Sequence, residues 1–384
     1  MPLSRRSFVR TLSVGGAGAL GASLVGARGH EALARALDAG TPPSPVATAA
    51  SPLRLDSNEN PHGPSPAALD AVRGAFGEAS RYPFASSDAL VDAIAAAHHV
   101  RPEQVLLGAG STELLRMAVL AFTRRDRALV TAAPTFEDPA VVAGIVRTPV
   151  RAVRVDGALR LDLGAMADRA RGAGLVYLCN PNNPTSTVHP AAAVRDVVER
   201  VHRASRDAVV LVDEAYNEYV DDAGYATAVP LAVADPRVVV ARTFSKVFGL
   251  AGLRVGYAIA AKPTIDAMRR HQLGMGVNGL ATAAAMATLD QPDFVARQRT
   301  LNRESRAATR ATFADMGYVV APSAANFLFV DIRRDARAFQ QACARRGILV
   351  GRPFPPLTTH ARISIGTAAE MRQAAAVFRD VLST

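Results

Sequence analysis

Two lysines, Lys246 and Lys262, stand among 44 Lys and Arg residues. Lys246 sits in RTFSKVFGLAGLR, residues 242 to 254, where an apolar run meets a glycine-rich bend. Desolvation and neighbouring cations can strip the charge from a lysine at the mouth of a sheet. The free amine is then a nucleophile able to form a Schiff base with an aldehyde. Read alone, the stretch is equally a solvated lysine at a strand end. Thr243 and Ser245 add hydroxyls beside it, and Arg254 adds a guanidinium.

Three other stretches place polar groups where apolar runs end. LLGAGSTE leads through glycines into a helix starting near Ser111 and Thr112. Free N–H groups and the helix dipole make such a start a phosphate site. The alternative is a plain strand-to-helix turn with Ser111 as N-cap. LCNPNNPTS is a turn that brings Asn180, Asn182 and Asn183 to a strand end. VVLVDEAY ends a buried run in Asp213 and Glu214, with Tyr216 close behind. A carboxylate there is costly unless a cation or donor meets it, and a structural salt bridge is the competing reading. Taken together, the four stretches ask for one ligand. It carries a phosphate, a cationic ring nitrogen for Asp213, a ring oxygen for Tyr216 and Asn183, and an aldehyde for Lys246. Pyridoxal 5′-phosphate (PLP) has all four.

The elements that must position these residues are legible as periodicity. QVLLG, RALVTAAPTF, GLVYLCN, AVVLVDEAY and RVVVART are apolar on consecutive residues, as in a parallel sheet covered on both faces. Leu114, Leu115, Ala118, Val119 and Phe122 form one helix face, and Val194, Val197, Val198 and Val201 another. The expected fold is α/β: a doubly wound, mostly parallel sheet in a large domain, then a smaller α+β domain. In such sheets ligands sit at the carboxyl ends of the strands. The expected divisions are a signal over 1–30, a linker over 31–54, an arm over 55–80, the large domain over 81–280 and the small domain over 281–384.

The chain has 384 residues, a formal net charge of +10 and two cysteines, Cys179 and Cys343. Its arginines are scattered among acids without interleaved aromatics, so nucleic acid is not an expected partner. Two cysteines make no disulfide framework, and no Cys/His spacing calls for a metal. SRRSFVR followed by a Gly/Ala-rich stretch to Ala27 reads as an export signal, and Arg5-Arg6 resembles a twin-arginine signal. Translocation by the twin-arginine translocase to the periplasm or beyond is expected, with a cytoplasmic enzyme as the alternative.

LDSNENPHGPSP, RYP, GAGSTE, APTF, CNPNNPT, DEAY, RTFSKVFGLAGLRVGYAIA, ANFLFV and RISIGT occur in this order from Leu55 to Thr367. That series resembles the fold-type I PLP-dependent class I/II aminotransferases, in particular the histidinol-phosphate aminotransferase branch. The resemblance implies that Lys246 forms the Schiff base and shuttles the proton, with Asp213 at the pyridinium nitrogen. Asn183 and Tyr216 would bond the ring oxygen, and Phe136 would stack on the ring. Ser111, Thr112, Thr243, Ser245 and Arg254 would hold the phosphate. Tyr82 would reach the phosphate of the other subunit of a homodimer. Arg362 would clamp the substrate carboxylate, with Arg352 and Asn58 also at the substrate. An amino group would pass between a small amino donor and a 2-oxo acid; a decarboxylase or oxidase of the same fold is the alternative. Ser186 stands where the family has glycine, Pro139 where it often has tyrosine, and Arg352 is displaced by one position.

Overall fold

The computed structural model describes residues 51–383. The expected signal over 1–30 and most of the expected linker lie outside the described residues. The strands are β1 (Leu53–Leu55), β2 (Val105–Gly108), β3 (Ala128–Ala133), β4 (Val150–Arg154), β5 (Ala173–Cys179) and β6 (Val209–Asp213). They continue with β7 (Val238–Thr243), β8 (Gly256–Ala260), β9 (Phe327–Asp331), β10 (Ile348–Val350) and β11 (His360–Ser364).

Seven strands form the main sheet in the order β2-β8-β7-β6-β5-β3-β4. β8 runs antiparallel to both β2 and β7, and the other pairings are parallel. Alternate residues supply opposite faces. Val176, Leu178, Val210, Val212, Val238 and Val240 join one core, together with Val194, Val197, Val198 and Val201 of the helix Ala191–Ala204. Tyr177, Cys179, Leu211, Val239 and Ala241 join the other, under Leu114, Leu115 and Ala118 of the helix Ser111–Phe122. Burying each such Val or Leu is worth roughly 1.5–3 kcal/mol. Inverting a strand's faces would forfeit several of these at once, so the apolar residues dictate which way the polar residues at the strand ends point.

β4 escapes the apolar-run reading. It is an edge strand, and of VRAVR only Val153 is buried. The order of β2 and β8 is likewise set by tertiary pairing rather than by local pattern.

Phe313, Phe339 and Phe378 anchor a separate core with Ile348, Val350 and Ile363. β9 and β11 pair antiparallel within it, and β1 pairs parallel with β10. The expected linker is therefore too long at its end: Leu53–Leu55 is a strand, because Leu55 fills the second core. The expected boundary at 280/281 is also displaced. Ala281, Ala284 and Ala285 of the helix Gly279–Leu289 are buried in the first core, where that helix packs on Pro66–Ala75.

Candidate active site

Strand parity divides the two acids at the end of β6. Glu214 turns to the face of Arg242, its Oε2 accepting from Nη2 at 2.8 Å and Nε at 3.1 Å. The backbone N–H of Ala228 and the hydroxyl of Thr227 complete its set. Glu214 is thus the structural ion pair, and Asp213 is the acid left for the cavity. Asp213 Oδ2 accepts from the Tyr177 hydroxyl at 2.8 Å and Oδ1 from the Ala215 N–H at 3.2 Å. Burial pushes its carboxyl up to about 6, opposed by the Tyr177 and Ala215 hydrogen bonds and by Lys246.

Lys246 follows β7 on the same side. Its Nζ donates to the Asn58 carbonyl at 3.2 Å and lies 5.5 Å over the Tyr216 ring. Burial lowers its ammonium to about 8; Arg362 acts in the same sense, while Glu59 and Asp213 oppose it. The free amine, the form that attacks a carbonyl, is therefore a minor form at pH 7 and about half the population near pH 8.

The arm residue Asn58 lines the cavity and is also a junction between segments. Its Nδ2 donates to the Tyr216 hydroxyl at 3.0 Å, and its Oδ1 accepts from Ser364 at 2.8 Å. Its carbonyl accepts from both Lys246 and Asn326. The arm reaches this position by passing over Gly249, whose φ is +73°. A Cβ there would stand 2.4 Å from the Gly63 carbonyl carbon and oxygen. Gly249→Ala is expected to cost about 2–4 kcal/mol through this clash and the left-handed backbone. A lowered urea midpoint with unchanged slope, together with weaker cofactor retention, would register it.

The expected phosphate corner assembles at the start of the helix Ser111–Phe122. Gly110, with φ +74°, is the N-cap, so Ser111 is the first helical residue and not the cap expected on one reading. Arg254 crosses this turn: a Cβ on Gly110 would meet its Nη2 at 2.3 Å. Arg254 also donates to the Ala109 carbonyl at 3.3 Å. Thr243 donates to Ser245 at 2.9 Å. Helix N–H groups, two hydroxyls and a guanidinium therefore face one corner, the donor set an oxyanion requires.

Arg362 enters from β11. Its Nη1 donates to Asn183 Oδ1 at 2.9 Å and its Nη2 to the Asp56 carbonyl. The guanidinium lies 4.9 Å from the Phe354 ring, and its Nε is buried without a partner. Arg352 stands at the mouth, paired with Glu137 at 2.5 Å and resting on Phe354 at 4.4 Å. Phe136 lines the same cavity. Ser186 adopts φ +59°, the left-handed region that favours glycine, and its hydroxyl donates to the Thr185 carbonyl at 2.6 Å. Pro139 opens the helix Asp138–Ile145 and does not line the cavity.

One cavity of about 500 Å³ is lined by Ser111, Thr112, Phe136, Asn183, Asp213, Tyr216, Thr243, Ser245, Lys246 and Arg254. Asn58, Arg352 and Arg362 complete the expected set. Tyr82 stands apart, 75% exposed, its ring 5.9 Å from that of Phe84. Tyr177 escaped the sequence reading, although its place two residues before Cys179 puts it on the face of Asp213. Asp56, which also lines the cavity, has a buried Oδ1 without a partner. These residues fit PLP: amine, ring-nitrogen acid and oxyanion corner converge on one space. Among the described residues no group of His, Cys, Asp and Glu is arranged to hold a metal ion.

Residues 50–378 match the family described as aminotransferase class I and II. The chain belongs to this family. It is a PLP-dependent aminotransferase of fold type I. It is 38% identical over 325 residues to a histidinol-phosphate aminotransferase of Symbiobacterium thermophilum, covering 84% of this chain and 88% of that one. It is 36% identical to an aromatic amino acid aminotransferase of Thermobifida fusca, covering 82% and 86%. The structure of a Sinorhizobium meliloti histidinol-phosphate aminotransferase in complex with PLP superposes with a TM-score of 0.82 at 28% identity, covering 91% of this chain and 94% of that one.

Proposed function

We propose that this aminotransferase moves an amino group from a ring-bearing amine or amino acid to a 2-oxo acid, with Lys246 carrying the cofactor. The convergence of Lys246, Asp213, Arg254 and Arg362 on one cavity carries the reading. When bound, PLP supplies an electron sink for the pair released at the substrate Cα. Lys246 Nζ, its ammonium lowered by burial, would take the proton from that carbon. Asp213 would face the ring nitrogen with negative charge. Ser111 and Thr112 offer backbone N–H groups to the phosphate, with Thr243, Ser245 and Arg254 beside them. Asn183 and Tyr216 would hold the ring oxygen, and Phe136 would cover the ring. Arg362 presents a planar donor fork to a substrate carboxylate.

The ring preference is supported by the names of the relatives, a histidinol-phosphate aminotransferase and an aromatic amino acid aminotransferase. Arg352 is the cation nearest the mouth for an acidic tail, held meanwhile by Glu137. A panel of 15N-labelled donors with 2-oxoglutarate tests the reading. Ring-bearing donors are expected to exceed alanine in kcat/KM by at least about tenfold, the worth of one well-filled apolar subsite. Carbon dioxide or peroxide without label transfer would instead favour a decarboxylase or oxidase.

The enzyme is a homodimer in this reading, with Tyr82 reaching the partner's phosphate corner. Support comes from the exposed apolar side chains of Phe76, Tyr82, Phe84 and Leu273. The enzyme is exported through Arg5-Arg6 and the apolar stretch behind them. Replacing both arginines by lysine is expected to leave the precursor in the cytoplasm of a host with the translocase; unchanged fractionation would overturn export by this route.

A further inference from the structure

We infer that Tyr177 is a positioning residue for Asp213: its phenolic O–H keeps the carboxylate ionised and aimed at the ring nitrogen of the cofactor. The inference rests on the assignment of Asp213 made above. Tyr177 lies on β5 and Asp213 ends β6, with Cys179 directly opposite Asp213 in the parallel register. Side chains two apart share a face, so Tyr177, Cys179 and Asp213 look the same way. Tyr177 is 1% exposed among Leu175, Leu211 and Ala241, and in that apolar layer its hydroxyl donates to Asp213 Oδ2 at 2.8 Å.

The groups facing Asp213 leave this bond with a decisive share. From β5 come Tyr177 and Cys179, and burial holds both far above their ordinary values, so both remain neutral. From its own segment come Glu214, Tyr216 and the Ala215 N–H; Arg242 neutralises Glu214. Lys246 is the cation opposite, and its charge is absent whenever its nitrogen works as an amine. Burial favours the neutral acid. Without the phenol, the remaining protein hydrogen bond to this carboxylate is the longer one at 3.2 Å. A neutral Asp213 could not sustain a protonated ring nitrogen, which is why the hydroxyl matters beyond packing.

The test uses the full chain, stripped of cofactor, and measures PLP affinity against pH. In Tyr177→Phe the acid limb of that profile is expected to move up by about 1 pH unit, the effect of losing one hydrogen bond to a charged group. kcat is expected to fall about tenfold with KM for the amino donor nearly unchanged. A stronger donor, 3-fluorotyrosine installed at position 177, is expected to move the limb the other way, and it covers the case in which phenylalanine disturbs folding. A superimposable profile in both proteins, or an affinity loss equal at every pH, would overturn the inference. Asp213→Asn separates the two levels: it is expected to abolish the limb. Were it to bind PLP like the wild type, the assignment of Asp213 itself would fail, whatever Tyr177 does.

Discussion

Alanine at position 246 is expected to lower turnover by at least about 10⁴-fold, the upper range for loss of a positioned acid–base group, because the same nitrogen also anchors the cofactor. Two lysines in the chain make the test unusually clean. Borohydride treatment of the PLP-loaded wild type should fix the cofactor to the peptide carrying Lys246 and leave Lys262 unmodified. Lys262 pairs with Asp266 on the exposed face of its helix and has no part in the cavity. Modification of Lys262 alone would refute the site. The pH dependence follows from burial. With its ammonium lowered to about 8, the nucleophilic amine of the cofactor-free chain is populated as pH rises through that value. Covalent capture of PLP should therefore accelerate from pH 6.5 to about 8 and level off above it. A rate still climbing steeply at pH 10 would mean that the nitrogen is solvated after all.

Asparagine at position 213 should separate activity from stability. Turnover is expected to fall by about 10²–10³-fold, since a fixed charge facing developing charge is among the largest contributions to catalysis. The cofactor-free protein should become more stable. The carboxyl of Asp213 rises from an ordinary 3.8 to about 6 in the folded chain. A raised folded value means that its favourable contribution is full below the unfolded value and is lost as pH climbs through the folded one. Wild type and Asp213→Asn should thus differ little near pH 4. Above about pH 6 the variant should gain about 3 kcal/mol, the full span of that shift. Urea titrations of both proteins at pH 4 and pH 7.5 give the comparison directly. Equal stabilities at pH 7.5 would mean that Asp213 is not ionised at a cost in the empty fold. The native carboxylate is in this view a strained group whose burden falls on folding and whose benefit appears on cofactor binding.

Much of this was open to reading along the chain because burial imposes its own arithmetic. Consecutive apolar residues in β5, β6 and β7 can be satisfied only in the interior of a covered sheet, so those strands and the two helices beside them announced themselves. The same parity placed Asp213 and Thr243 on one face and Glu214 with Arg242 on the other, since a one-residue slip would expose a row of valines. Lys246, Asn183 and Arg254 stood out as polar residues in order near the ends of such runs, whereas Arg362 was reached only through the family resemblance. Folding in three dimensions decided the rest. The edge strand β4 has one face in solvent and therefore little apolar signal. β1 is three residues whose partner, β10, lies some three hundred positions away. Asn58 was expected at the substrate; its side-chain amide joins the arm to Tyr216 and Ser364, and its backbone carbonyl accepts from Lys246. Tyr177 looked like one more apolar wall residue until the β5–β6 register set its hydroxyl against a carboxylate. Local composition states what a segment must bury. Which donor meets which acceptor depends on partners far away in the chain, and only the packed molecule specifies them.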